Sequence, residues 1–298
     1  MSPDQYSFAD PRTLYPSISP PVQQQPEPAV QAKMTPVPDL GENSYRGSGR
    51  LQGRKALITG GDSGIGGAVA IAFAREGADV AISYLPEEEQ DARHIVALIE
   101  EAGRTAVAFP GDLKNKDYCH RLVDAAVDGL GGLDIVVSNA GKQVFVEKIE
   151  DLSDEQFEDT MHTNVFAMFW LAKAAVPHLK PGSTIICTAS LEAYNQLPFL
   201  LDYATTKGAI NNFSKALAQQ LAPRGIRVNA VAPGPTWTAL QVSQGFPPEK
   251  LPEYGKDNPL GRSGQPAELA PAYVYLASGE SSFTIGETLN VNGGMPTP

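Results

Sequence analysis

Cysteine is scarce in this chain, which has only Cys119 and Cys187 among its 298 residues. Two cysteines are too few for a disulfide framework or a cysteine metal site, and this scarcity fits a reducing compartment. We therefore interpret both as small apolar packing residues. The four histidines, at positions 94, 120, 162 and 178, show no metal-ligand spacing, so we predict no metal site.

Long hydrophobic runs and an excess of positive charge are also missing. No stretch reaches the roughly 18 uncharged apolar residues that suggest a membrane span, and the first residues have neither the basic start nor the apolar core of a secretion signal. We expect a cytoplasmic protein with no membrane partner. The net charge of -11 opposes non-specific binding to nucleic acid, and no basic run offsets it, so no nucleic-acid partner is predicted.

The first 48 residues differ in composition from the rest of the chain. They contain nine prolines among Gln, Ser and Asp and almost no apolar period. Such a segment cannot form a helix or a central strand, and it buries too little to fold alone. We predict that residues 1–48 form either a disordered tail or an extended arm. An arm would lie over a neighbouring subunit, with "AKMTPVPDL" as its anchor.

Residues 49–298 show a different pattern, in which apolar runs alternate with amphipathic stretches of helical length. This alternation predicts a parallel sheet covered by helices on both faces. The predicted fold class is α/β, a single doubly wound Rossmann-type domain with a parallel sheet of about seven strands. The predicted strands lie at 55–60, 79–84, 105–111, 133–141, 183–190, 226–234 and 286–294, and two long helices are predicted at 154–179 and 202–225.

A glycine-rich turn, "TGGDSGIGGAVA", follows the first predicted strand and opens a predicted helix. Gly60, Gly64 and Gly66 would permit a tight turn and a close approach of the backbone to a pyrophosphate. The helix N-terminus would supply unpaired N–H groups and the positive end of its dipole. The alternative is a merely flexible turn. The hydrolase motif Gly-x-Ser-x-Gly is excluded here, because Ile65 stands where its second glycine would be.

Tyr203 and Lys207 stand four residues apart in the second long helix, so their side chains should emerge on one face. By itself the pair is weak evidence for catalysis, because chance matches to Tyr-x-x-x-Lys are common in a chain with ten tyrosines. The surrounding motifs decide its meaning.

Four motifs occur in a fixed order: "TGGDSGIG" at 59–66, "NAG" at 139–141, Ser190, and "YATTK" at 203–207, with Tyr203 standing 13 positions after Ser190. In these motifs the chain resembles the classical short-chain dehydrogenases/reductases over residues 50–295. The stretches "AKMTPVPDLGE", "GRKALITGGDSGIG", "LLDYATTKGAI" and "APGPTWTAL" resemble the branch of NADP-dependent aldehyde reductases, general stress proteins and plant glucose/ribitol dehydrogenases.

The resemblance implies a catalytic set of Asn164, Ser190, Tyr203 and Lys207. Tyr203 would exchange a proton with the substrate oxygen, although a phenol with a pKa near 10 is a poor acid-base catalyst at neutral pH. Lys207 and the positive nicotinamide ring would favour the phenolate, so we expect a lowered pKa for Tyr203. Ser190 would hydrogen-bond the substrate oxygen. Asn164 would position a water for proton relay, or it would be a helix-interior asparagine satisfied by backbone.

The resemblance also implies which residues contact the dinucleotide. Asp112 and Leu113 match the pair beside the adenine, and the segment 233–238 matches the one that meets the carboxamide. Within it, Trp237 would either wall the substrate site or pack as a core aromatic. The predicted cofactor contacts are Gly60, Asp62, Ser63, Gly64, Ile65, Gly66, Tyr84, Asp112, Leu113, Asn139, Ala140, Gly141, Tyr203, Lys207, Pro233, Gly234, Thr236 and Thr238.

The choice between NADP and NAD depends on the end of the second strand. NAD enzymes usually place an acid there, and NADP enzymes place a basic group there or in the glycine turn. Ser83 and Tyr84 satisfy neither rule. The following "PEEEQD" would either repel a 2′-phosphate or form a solvated helix start, and we favour the second interpretation. The resemblance favours NADP(H) over NAD(H).

These motifs predict an oxidoreductase that interconverts a carbonyl and an alcohol. The alternatives are a dinucleotide-binding regulatory protein and a redox-neutral dehydratase or epimerase on the same fold. Residues 240–262 occupy the region that covers the substrate in the family, and their mixture of Phe246, Leu251, Tyr254 and polar residues suggests a small aldehyde, ketone or sugar-like polyol. The resemblance also implies a homotetramer.

Overall fold

Seven parallel strands form one sheet in the computed structural model, which describes residues 4–297 of the chain. Their order across the sheet is β3-β2-β1-β4-β5-β6-β7. The order reverses between β1 and β4, and ligands of doubly wound sheets bind outside the carboxyl ends of the strands at such a point. The strands are β1 (Lys55–Thr59), β2 (Asp79–Tyr84), β3 (Ala106–Pro110), β4 (Ile135–Ser138), β5 (Thr184–Thr188), β6 (Arg227–Pro233) and β7 (Thr288–Val291).

Helices cover both faces of this sheet, as the alternating pattern predicted. Successive side chains of β1 point to opposite faces, so Leu57 joins one hydrophobic cluster and Ile58 the other. On the face of Ile58 lie α1, α2 and α7, and on the face of Leu57 lie α3, α5 and α6. The helices are α1 (Gly64–Arg75), α2 (Glu89–Glu101), α3 (Lys116–Leu130), α4 (Asp154–Met161), α5 (Ala167–Ala175), α6 (Leu201–Leu221) and α7 (Pro266–Ala277). The predicted fold class is confirmed.

The helix predicted without interruption over residues 154–179 is wrong in one respect. Between α4 and α5 the backbone forms a π-helical turn over His162–Phe166, and α5 ends at Ala175. A π-helical turn inserts one extra residue into a helix, and such insertions often occur at functional sites. Here the turn contains Asn164, whose side chain is buried.

The proline-rich N-terminal segment packs against the rest of its own chain, and its extension over a neighbouring subunit stays a prediction. Leu40 and Tyr45 are buried in the cluster under α1. Ala29 and Met34 form a separate cluster with Trp237. The division of the chain at residue 48 remains a proposal, because these contacts join both parts in one molecule. Among the helices within residues 4–297, none is long and apolar enough to cross a membrane.

Candidate active site

A cavity of about 830 Å³ lies at the carboxyl ends of the strands. It begins at the glycine turn after β1 and continues past the ends of β2 to β6, where Ser190 and Pro233 line it. Every predicted cofactor contact except Gly66 lines this cavity, and so do Ser190, Tyr203 and Lys207. The structure therefore brings the residues of the separate sequence motifs together in one cavity.

Gly66 supports the turn instead of lining the cavity. A Cβ atom on Gly66 would lie 1.9 Å from the carbonyl oxygen of Gly60, so only glycine lets α1 pack against the turn. Gly60 and Gly64 have positive φ angles of 60° and 50°, which glycine adopts without strain. The absence of a side chain at Gly66 and the positive φ angles of Gly60 and Gly64 allow the backbone to come close to a pyrophosphate.

The N-terminus of α1 retains free hydrogen-bond donors. The first residues of a helix have N–H groups without partners inside the helix. The Gly64 N–H donates to the Oε1 atom of Gln31 at 2.8 Å. Within residues 4–297, no protein acceptor takes the N–H groups of Ile65 and Gly66. These donors and the dipole of α1 fit an anionic pyrophosphate.

Tyr203 and Lys207 project from the first turns of α6 and are both buried. The Nζ atom of Lys207 lies 5.1 Å from the centre of the Tyr203 ring and donates to the carbonyl oxygen of Thr188 at 2.9 Å. Ser190 stands just after β5, and its Oγ atom accepts the N–H of Glu192 at 3.1 Å. Residues that are separated in the sequence thus lie close together, because the start of α6 packs beside the end of β5.

The pKa of Tyr203 is not lowered by the chain alone, so the expected lowering stays a prediction for the site with its dinucleotide. Burial raises the pKa of Tyr203 above its ordinary value, and a hydrogen bond from Ser190 opposes this only in part. Burial also lowers the pKa of Lys207 to about 8. The expectation required two positive charges near the phenol, and the protein contributes only Lys207. A buried ammonium without a carboxylate partner is itself driven toward its neutral form.

Asn164 lies beneath the cavity, not on its wall. Its Oδ1 atom accepts the N–H of Lys142 at 2.7 Å, and its Nδ2 atom donates to the Lys142 carbonyl at 2.9 Å and to Thr206 Oγ1 at 3.0 Å. The side chain therefore joins the π-helical turn, α6 and the segment after "NAG". These contacts agree with the alternative interpretation, in which backbone groups satisfy most of the hydrogen-bonding capacity of Asn164.

Acidic side chains surround the end of β2, where the adenosine ribose would lie. The "PEEEQD" stretch is not uniformly solvated, because Asp91 is buried and Glu88 lines the cavity. Burial raises the pKa of Asp62 to about 7 and that of Glu88 to about 8. The Oδ2 atom of Asp62 has no hydrogen-bond partner within residues 4–297. Our preference for a solvated helix start is wrong at Glu88 and Asp91.

The opposite end of the cavity is lined by aromatic rings. Phe246 lies 5.1 Å from Tyr254 and 6.3 Å from Phe199, measured between ring centres. Glu192, whose pKa burial raises, lines the same region. Trp237 does not reach the cavity, since it is fully buried and donates to the carbonyl of Pro36 at 2.8 Å. The packed-aromatic interpretation of Trp237 is confirmed, as is that of Cys119 and Cys187, which are buried and free.

Residues of the N-terminal segment also line the cavity, and the motifs did not identify them. Glu27, Pro28 and Ala29 contribute to the wall, together with Lys142. The only sequence signal in this region was the apolar content of "AKMTPVPDL", which predicted packing but not a role at the cavity. Within residues 4–297, no group of His, Cys, Asp or Glu has the arrangement of a metal site.

Comparisons with known proteins agree with this geometry. A family model described as enoyl-(acyl carrier protein) reductase matches residues 60–296. The chain is 59% identical to an uncharacterized oxidoreductase of Escherichia coli, with 96% of this chain and 97% of the relative covered. It is 43% identical to the chloroplastic NADPH-dependent aldehyde reductase 1 of Arabidopsis thaliana, with 91% and 96% covered.

A similar fold is found among solved structures. The crystal structure of a short-chain dehydrogenase from Burkholderia cenocepacia in complex with NADP matches with a TM-score of 0.76 and 34% sequence identity. The match covers 82% of this chain and 98% of that chain. The match thus leaves a larger share of this chain uncovered than of the Burkholderia chain. This difference is consistent with an additional N-terminal segment in this chain.

Proposed function

This chain belongs to the short-chain dehydrogenase/reductase family, and from that premise we propose that it reduces a small carbonyl compound to an alcohol with a nicotinamide dinucleotide, or catalyses the reverse reaction. The proposal rests on one observation. Ser190, Tyr203 and Lys207 line the same cavity as the glycine turn. The dinucleotide supplies or accepts the hydride. All other steps fall to side chains of the protein.

Tyr203 is the proposed proton donor. The phenol is protonated at neutral pH, which is the form needed when a carbonyl oxygen becomes an alcohol, and the positive charge of Lys207 beside the ring makes release of that proton easier. Ser190 stabilises the negative charge that develops on that oxygen by donating a hydrogen bond. Lys207, held by the Thr188 carbonyl, places a positive charge beside the phenol ring and holds the ribose hydroxyls. Asn164 holds the backbone of Lys142 and thereby the floor of the cavity.

The proposed substrate is a small aldehyde or ketone, with sugar-like polyols as the substrates of the reverse reaction. Phe199, Phe246 and Tyr254 provide apolar contact, while Glu192 and Ser190 provide the polar groups. Such a combination selects compounds that present one apolar side and at least one oxygen. The printed name of the Arabidopsis relative, an aldehyde reductase, supports this substrate class.

NADP(H) is the proposed dinucleotide, although no basic side chain marks the end of β2. A relative is named for NADPH, and a solved neighbour contains NADP. Burial and the repulsion between Asp62 and Glu88 raise the pKa of both carboxyls, so the two do not carry their full negative charge at physiological pH. This neutrality lets a 2′-phosphate lie near them.

A cytoplasmic homotetramer is the proposed form of the protein. Free, buried cysteines fit a reducing compartment. Phe166 and Phe169 remain 39% and 43% exposed on α5 and the turn before it. An apolar helix surface of this kind is typical of subunit contacts.

Replacing Tyr203 by Phe tests the proposed reaction. Consumption of NADPH and NADH should be followed against a panel of aldehydes, ketones and sugars. We expect Tyr203→Phe to lose roughly 10²- to 10⁴-fold in kcat, the usual contribution of general acid catalysis, while dinucleotide affinity stays near that of the parent. Tyr275→Phe is the matched control, because the Tyr275 hydroxyl contacts Thr284 away from the cavity.

Equal turnover in both variants would contradict the role of Tyr203. A parent protein that binds the dinucleotide and converts a substrate without net change of nicotinamide absorbance would instead be a redox-neutral dehydratase or epimerase. Binding without any conversion would indicate a regulatory protein.

A further inference from the structure

We propose that residues 25–36, which we call the strap, form part of the dinucleotide site and hold its phosphate-binding turn in place. The inference deepens the proposed function, because it assumes that this cavity binds a nicotinamide dinucleotide. It assigns a positioning role to Gln31 and Glu27, which lie well before the first strand and outside every motif of the fold.

Gln31 is the central contact of the strap. Its side chain is only 5% exposed, and its Oε1 atom accepts the N–H of Gly64 at 2.8 Å. Gly64 is the first residue of α1, so this bond caps one of the free donors at the helix N-terminus. The N–H groups of Ile65 and Gly66 are left for the ligand. Gln31 thus fixes the turn from outside while the pyrophosphate would bind its remaining donors.

Asp91 holds Gln31 in position from the other side. The backbone N–H groups of Gln31 and Ala32 both donate to the Asp91 carboxylate, at 2.5 and 3.1 Å. Asp91 lies in the first turn of α2 and is itself 5% exposed. Two donors on one buried carboxylate define the direction of the strap, so the carboxamide of Gln31 has little freedom to leave Gly64.

Glu27 attaches the strap to the opposite side of the cavity. Its carboxylate pairs with the Nζ atom of Lys142 at 2.7 Å, and Lys142 also pairs with Asp159 at 2.8 Å. Lys142 directly follows the "NAG" motif, and Asn164 fixes its backbone. Glu27, Pro28 and Ala29 all line the cavity. The ion pair therefore crosses from the strap to the segment after β4.

The strap also contacts the region proposed to cover the substrate. The N–H of Gln25 donates to the carbonyl of Val242 at 2.8 Å, and Trp237 donates to the carbonyl of Pro36. Ala29 and Met34 pack with Trp237 and Val242. One strap thus joins the phosphate turn, the "NAG" segment and the substrate cover. A dinucleotide bound in the cavity would lie partly beneath it.

The test measures dinucleotide binding to the full-length protein, which does not depend on turnover. Titrations of NADPH and NADH should compare the parent with Gln31→Ala and Glu27→Gln. We expect Gln31→Ala to bind roughly tenfold more weakly, as for the loss of about one hydrogen bond. Glu27→Gln, which alters a partly exposed ion pair, should weaken binding in the same direction and is expected to fold normally.

Gln23→Ala is the matched control. The Gln23 side chain makes hydrogen bonds to the backbone of Thr35 and of Pro21, and all of them stay within the N-terminal segment. Its removal should leave dinucleotide affinity unchanged. A general weakening of the segment would affect Gln23→Ala and Gln31→Ala alike, and that result would overturn the assigned role of Gln31.

Cleavage by trypsin after Lys33 provides a second readout. Lys33 is exposed within the strap, so cleavage there reports how often the strap leaves the surface. Bound NADPH should slow this cleavage in the parent and much less in Gln31→Ala.

Tighter dinucleotide binding by Gln31→Ala would mean that Gln31 competes with the pyrophosphate, which contradicts a positioning role for Gln31. Unchanged affinity in both strap variants also overturns the inference, and it leaves the proposed reaction intact. A parent that binds neither dinucleotide would overturn both.

Discussion

Tyr203 and Lys207 are almost completely removed from water, and burial acts on the two groups in opposite directions. It raises the pKa of the phenol and lowers that of the ammonium to about 8, so at pH 7 the phenol is neutral while Lys207 remains mostly charged. A negative charge brought close to Lys207 by the substrate or by developing alkoxide character would raise the lysine pKa again. Burial strengthens this response, because little solvent screens the charges.

Asp62 and Glu88 should make NADPH binding dependent on pH. Burial and the repulsion between them raise the pKa of both carboxyls, so they become fully charged only as the pH rises above neutral. As the pH rises from 6 to 9, two negative charges appear near the expected 2′-phosphate. We predict that the dissociation constant of NADPH rises relative to that of NADH over this range, on the order of tenfold for an effect of one pKa unit.

Asp62→Asn should flatten this dependence, since the amide keeps the size of the side chain but carries no charge. Comparison with the parent cancels the titration of the phosphate itself. Glu87→Gln is the control, because Glu87 is exposed in the same stretch. Fluorescence titration of both dinucleotides at pH 6, 7, 8 and 9 checks the result. A constant NADPH-to-NADH ratio in the parent would show that these carboxyls do not face the phosphate.

The residues proposed to be catalytic could be identified from their own motifs, whereas Gln31 could not. Ser190, Tyr203 and Lys207 occur at a characteristic spacing. Gln31 is an ordinary glutamine in a proline-rich stretch, and its partner Gly64 lies 33 positions further along the chain. A hydrogen bond between such distant positions depends on how the whole chain packs, so no local pattern indicates it.

Strands and most helices could be predicted because each buries a regular pattern. The run of β1 is apolar at successive positions, as expected for a strand covered on both faces. The interruption between α4 and α5 could not be predicted, since residues 154–175 contain neither proline nor glycine. The π-helical turn there accompanies the tertiary contacts of Asn164 with Lys142 and Thr206.

The C-terminal end of α1 is joined to the N-terminal segment by a buried carboxylate. Glu76 accepts hydrogen bonds from the Tyr45 hydroxyl at 2.8 Å, the Ser48 N–H at 2.9 Å, and the backbone and guanidinium of Arg50 at 3.0 and 2.6 Å. These donors lower the pKa of Glu76 to about 2. The charged carboxylate therefore stabilises the folded state at neutral pH.

Glu76→Gln should destabilise the protein by about 3 kcal/mol at pH 7, because it leaves Arg50 without its buried partner. The folded-state pKa is below the unfolded one, so this stabilisation is complete above about pH 4.5 and is lost as the pH falls toward 2. The difference in urea unfolding between parent and variant should thus shrink as the pH falls from 5 toward 2. Glu100→Gln, an exposed carboxylate on α2, is the control. A difference independent of pH would contradict a role for the charge.

At the scale of the whole molecule, the N-terminal segment behaves as part of the domain that it covers. It has no apolar period, yet Val30, Met34 and Leu40 are buried. Its contacts reach partners as distant as Trp237 and Arg262, which donates to the carbonyl of Pro11. Composition predicted that the segment cannot fold alone, which agrees with this arrangement, since its buried apolar side chains pack against the sheet domain.

Removal of residues 1–36 should therefore lower stability and dinucleotide affinity together. The deletion exposes the surface under Ala29, Val30 and Met34 and takes away the Gln31 bond to Gly64. We expect a loss of about 2–5 kcal/mol in unfolding free energy, as for the deletion of a few buried apolar side chains, and weaker NADPH binding. Removal of residues 1–9, whose last four residues are exposed, is the control.

The mass of the oligomer shows whether the N-terminal segment packs only on its own subunit or also on a neighbouring subunit. Because the strap lies on its own subunit, the mass measured by light scattering should be the same for the parent and the 1–36 deletion. Thermal unfolding and NADPH titration of the same samples should show the losses described above. A fall in mass that accompanies the fall in stability would show that the segment also joins neighbouring subunits. An unchanged thermal midpoint with unchanged NADPH affinity would show that the contacts of the strap contribute to neither.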